Sequence, residues 1–152
     1  MNNEENNNKK LNRYVTRLVL IAGIIIMIAS LEALMMAKST DVFDAFIGKN
    51  PGMDFNQYIS FIIVNFLSTI FEATLISLFT FFTYKKFGIK PIYKIVFGII
   101  VLLKLVILTT KFQLDSVFYY SIIVLYIVFF ITIVTAPIRE RVKNDVFKRS
   151  NR

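Results

Sequence analysis

Apolar residues fill four long windows of the chain with few polar interruptions: Leu18 to Ala37, Ile59 to Thr83, Pro91 to Thr110 and Val117 to Ala136. At about 1.5 Å of rise per residue, each is long enough to cross a hydrocarbon core that needs roughly 20 residues. The windows are apolar on every side, so packing them in water would leave no helix face to hydrate. The pattern predicts an all-α membrane protein, a bundle of four transmembrane helices. Composition agrees, with 56% apolar residues and a mean hydropathy of +0.62 over 152 residues. The first window has the basic flank of a cleaved leader, but its run exceeds a typical leader core, Met35 spoils the cleavage pattern and Glu32 interrupts it. A retained anchor is expected.

Charge then sets an expected orientation. Lys9, Lys10, Arg13 and Arg17 precede the first window, and Lys85, Lys86, Lys90 and Lys94 join the second to the third. The tail adds Arg139, Arg141, Lys143, Lys148, Arg149 and Arg152, whereas the first and third connections hold only Lys38, Lys49 and Lys111. The positive-inside rule places both termini in the cytoplasm, and an even number of spans agrees with that. The net charge of +8 is thus mostly a topology signal, and no nucleic-acid site is read from it. A bias toward Asn, Ile, Lys and Phe suits an AT-rich bacterial genome, hence a bacterial cytoplasmic membrane.

The absent residue types exclude several chemistries. Without Cys or His the chain has no disulfide, no ordinary zinc constellation and no Cys-His or Ser-His catalytic pair. No cofactor or metal is expected. Asp41, Asp44 and Asp54 fit no calcium loop and read as solvated caps. The windows show no internal repeat of the kind that marks many transporters, and no dinucleotide loop, P-loop or selectivity filter is present.

The segments outside the windows are short. Residues 1–9 are Asn-rich and, with the basic stretch to Arg17, are expected to form a disordered cytoplasmic terminus. In the outer loop, 38–58, Asp41 is expected to cap a short interfacial helix carrying Phe43, Phe46 and Ile47 on one side. Gly48 would end it, Asn50, Pro51 and Gly52 would turn the chain, and Asp54 would cap the second span. In the tail, 137–152, Ile138, Val142 and Val146 recur every four residues, which predicts a basic amphipathic helix. Its Arg139, Arg141, Lys143, Lys148 and Arg149 would contact anionic headgroups on the cytoplasmic side.

Three ionisable residues lie inside the apolar windows: Glu32, Glu72 and Lys104. Counted inward from the outer boundary, Glu32 lies about 8 Å deep, Asn65 and Lys104 about 9 Å, Tyr126 about 14 Å and Glu72 about 20 Å. Asn65, Ser68, Thr69, Glu72 and Thr83 share one stripe of the second span. Ala29, Ala33 and Ala37 form a small-residue face on the first span that favours close helix approach. Tyr93, Phe97, Lys104 and Lys111 share a face of the third span, and Tyr119 and Tyr126 one of the fourth. These depths predict a Glu32–Lys104 pair backed by Asn65, with snorkelling of Lys104 as its competitor. Glu72 and Tyr126 would sit deeper, and Glu72 would need a partner, a wet cavity or a proton.

Two classes of function fit. In the first, a non-enzymatic accessory, immunity or regulatory subunit binds a membrane protein partner or its own copies, and the charges fix helix register. In the second, Glu72 and its stripe serve a proton or ion path in an oligomer. An enzyme acting on a lipid-linked substrate is a third possibility, but no second acid stands at the depth of Glu72, and no catalytic residue is assigned.

Overall fold

A computed structural model describes residues 2–87, 89–110 and 116–137, with residues 2–8 and 85–87 described by backbone alone. Five helices follow in order: α1 (Asn2–Lys38), α2 (Thr40–Lys49), α3 (Phe55–Phe87), α4 (Pro91–Thr110) and α5 (Val117–Val134). The described residues contain no strand. Four helices, all but α2, are long and apolar enough to cross a membrane. The basic tail expected to form an amphipathic helix, with Arg139, Arg141, Lys143, Lys148 and Arg149, lies outside the described residues, as does Lys111.

The buried positions explain the bundle. Along α1, Leu11, Val15, Leu18, Ala22, Ile25 and Ala29 alternate by four and three residues. On α5, Tyr119, Ile122, Tyr126, Phe129 and Ile133 follow the same rhythm. A mean repeat of 3.5 keeps one seam of each helix toward its neighbours and favours near-antiparallel, left-handed packing. α1 lies along both α3 and α5, while α4 lies against α5 and meets α3 more thinly. Gly98 is buried where α4 meets α5, and a Cβ there would stand 3.8 Å from the Phe130 ring, in ordinary van der Waals contact.

Two expectations are corrected. The N-terminus is helical from Asn2, because Leu11, Tyr14, Val15 and Leu18 recur on one face and are buried by the bundle. Tertiary burial there outweighs a composition that alone signals disorder. The second span is also longer than its apolar window, starting at Phe55 and ending at Phe87.

The outer segment forms a helix, but its N-cap is Ser39, whose hydroxyl accepts from the Val42 amide; Asp41 sits within the first turn. Serine and aspartate are both good caps, and the chain turns one residue before Thr40. Phe43 and Phe46 pack on Tyr58, which is 1% exposed and donates to the Met36 carbonyl at 2.7 Å. Gly52, at φ 98°, takes the left-handed turn position that favours glycine. Asp54 caps α3 reciprocally with Gln57: Oδ1 accepts from the Gln57 amide at 2.8 Å, and the Asp54 amide donates to Gln57 Oε1 at 2.9 Å. Asp54→Ala should therefore speed hydrogen exchange in the first turn of α3 and cost about 1 kcal/mol. Asp41→Ala should leave that turn unchanged, and equal effects of the two would contradict the assignment.

Candidate functional site

The intramembrane charges meet at the α3–α4 seam. Lys104 Nζ stands 3.3 Å from Glu72 Oε2 and donates to the Ser68 backbone carbonyl and, at 3.2 Å, to Ser68 Oγ. Glu72 Oε2 makes no aligned hydrogen bond, so the contact with Lys104 is an ion pair held by charge. Lys104 is 4% exposed, which excludes snorkelling as its resting position. Glu72 is 24% exposed. Tyr126, buried on α5, reaches across to donate to the Thr69 carbonyl. Lys104 and Tyr126 thus tie α4 and α5 to consecutive carbonyls of α3.

The ion pair found is Glu72–Lys104, in place of the expected Glu32–Lys104. Counting from the outer boundaries misplaced Lys104 because α3 and α4 share only their inner ends. At 1.5 Å per residue α3 is about 50 Å long and α4 about 30 Å, so their outer ends are far out of register. From the short inner connection between Phe87 and Pro91, Glu72 lies about 22 Å away and Lys104 about 20 Å. That tight turn was the usable signal in the sequence.

Glu32 occupies a separate site, toward the α2 end of the bundle. Its carboxylate lies beside Ser116, the residue that N-caps α5. With Ala29, Ala33, Asn65, Phe66 and Thr69 it lines a void of about 10 Å³, at the lower limit of what holds one water molecule. Ala29 is buried, and Ala33 and Ala37 are half-buried. Ala29 and Ala33 thus face α3, the helix that the small-residue spacing serves. The Asn65 backbone carbonyl accepts from the Thr69 hydroxyl at 2.8 Å. Thr69 is buried, Ser68 is exposed, and Thr83 spends its hydroxyl on the Phe79 carbonyl.

A further polar chain crosses the half of the bundle nearer the α3–α4 connection, on residues the sequence did not single out as a group. Tyr14 and Tyr93 hydroxyls lie 3.2 Å apart, and Tyr93 lies 2.5 Å from the Thr80 hydroxyl, which donates to the Ile76 carbonyl at 2.7 Å. α1, α4 and α3 are thereby joined through the core. Phe97, next on the Tyr93 face, stacks against both Tyr93 and Phe79. Tyr119 donates to the Leu108 carbonyl at 2.5 Å, closing the C-terminal end of α4 on α5.

Fold and site together define a multi-pass α-helical membrane protein whose core holds an ion pair. No family model, curated protein or solved structure matches the chain.

Proposed function

We propose that the chain is a non-enzymatic accessory, immunity-type or regulatory subunit of a bacterial cytoplasmic membrane. In this reading both termini are cytoplasmic, α2 rests on the outer interface, and a membrane partner binds along the α3–α4 seam. The observation that supports it is the uneven burial of the ion pair. Lys104 is enclosed, but Glu72 keeps 24% exposure beside Ser68, Phe71 and Leu75, which are all exposed on the outside of the bundle. The paired Oε2 is buried, but the rest of the side chain leaves an acidic residue partly open to lipid, and even lenient scales put such a residue at mid-membrane at about 2.5–3.5 kcal/mol. A neighbouring transmembrane helix that offers a hydrogen-bond donor would remove that cost. The partner's helix is thus expected to cover Glu72, and the ion pair serves register and recognition rather than turnover.

A photocrosslinking residue at Phe71 or Leu75 tests this, with Leu20, exposed on α1, as control. In native membranes the seam positions should give a discrete adduct, to another protein or to a second copy, that Glu72→Gln weakens. Labelling no different from the Leu20 control would overturn the proposal.

The competing reading, an ion or proton path through Glu72, predicts flux. Purified protein in liposomes is expected to leak protons and potassium no faster than empty vesicles. Flux that Glu72→Gln abolishes would establish the path instead.

A further inference from the structure

The inner end of the bundle carries a second feature, independent of the α3–α4 seam. Lys10, Arg13 and Arg17 recur at i, i+3 and i+7, so they project from one face of α1. They line a recess of about 220 Å³ whose other walls are Tyr14, Thr132, Thr135 and Pro137. All three cations are exposed, and no carboxylate among the described residues pairs with them. Three positive charges converging on one recess form a receptor for an anion.

Position selects the anion. Arg17 directly precedes the apolar run that starts at Leu18, and Arg13 and Lys10 lie one and two turns further out. That is the depth of the phospholipid phosphates. The opposite wall is the end of α5, whose terminal carbonyls carry a partial negative charge of about half a unit. Thr135 softens it by donating to the Ile131 carbonyl at 2.7 Å, and three full positive charges outweigh the remainder. Basic pockets between transmembrane helices at this level suit anionic lipid headgroups.

We propose that this recess binds the phosphate group of an anionic phospholipid, with Arg13 and Arg17 as its principal ligands, Lys10 at the rim and the acyl chains running along α1 and α5. The site lies on the bundle itself and does not require the basic tail.

The test uses the full-length protein in a neutral detergent, titrated with phosphatidylglycerol, with phosphatidylcholine and with inorganic phosphate, while bound lipid is counted by native mass spectrometry. Phosphatidylglycerol should bind in preference to phosphatidylcholine. Arg13→Gln with Arg17→Gln should weaken it about 30-fold, as expected for two charges at a membrane surface. Both residues are exposed, so the double variant should fold, and an unchanged thermal midpoint in lipid-free detergent checks this. Replacing Lys38 and Lys49, exposed at the opposite end of the bundle, by Gln should leave the preference intact. Equal binding of both lipids, or an undiminished preference in the Arg13/Arg17 variant, would overturn the proposal. Displacement of the lipid by millimolar inorganic phosphate would assign the recess to free phosphate and overturn the lipid assignment.

Discussion

Lys104→Met should destabilise the bundle by about 3 kcal/mol or more, among the largest effects expected of any single substitution. The change removes the cation that neutralises Glu72 and frees the Ser68 carbonyl and hydroxyl that Lys104 holds. Glu72 would then be an unpaired acid in the membrane interior, able to escape only by taking up a proton, which limits the loss. Glu72→Gln leaves the opposite defect, a cation that is 4% exposed with no counter-charge, and should cost a similar amount. The double variant should lose clearly less than the sum, giving a coupling of about 1–3 kcal/mol. Glu32→Gln combined with Lys104→Met should be additive, because Lys104 pairs with Glu72 while Glu32 lines a separate void between α1 and α3. Reversible unfolding in detergent micelles measures all four, and strong Glu32–Lys104 coupling would refute the pairing described.

Ala29→Leu should be the second large effect. Ala29 is 2% exposed and faces the α3 side chains Ile62, Asn65, Phe66 and Thr69 across a void of only about 10 Å³. Three added carbons do not fit there, so α1 must move away from α3. Overpacking of this kind costs about 1–3 kcal/mol. In a membrane the loss falls on dispersion and hydrogen bonding, since no hydrophobic force holds helices together in lipid. Ala37→Leu, at a half-buried position of the same stripe, should cost much less. A thermal midpoint for Ala29→Leu equal to that of wild type would show that the small residue is not required for the contact.

Both predictions rest on residues visible in the chain, but in different ways. The Ala29 stripe and the apolar windows are local periodic signals, and periodicity survives folding because it is a property of one helix. Asp54 as the cap of α3 was legible for the same reason: a cap and its helix are neighbours in sequence. The pairing of Lys104 was not, because it depends on how far one helix slides along another. Two helices joined by a tight inner turn share a level at that turn, and counting from the opposite ends accumulates their difference in length. The N-terminal helix escaped for a related reason. Its first residues resemble a disordered segment, whereas Leu11, Tyr14, Val15 and Leu18 become a buried face once α3 and α5 supply the other side.

The sequence by itself determined four membrane-length helices, the residues inside them that are costly to bury, and the cap of α3 with the turn before it, because each depends on spacing within about one element. The tertiary structure decided which charges meet, that Glu72 stays partly open at the α3–α4 seam, and that Lys10, Arg13 and Arg17 face the end of α5. These depend on helix register and on which helices are neighbours. Both are set by the summed packing of whole seams, with no single residue or motif to announce them.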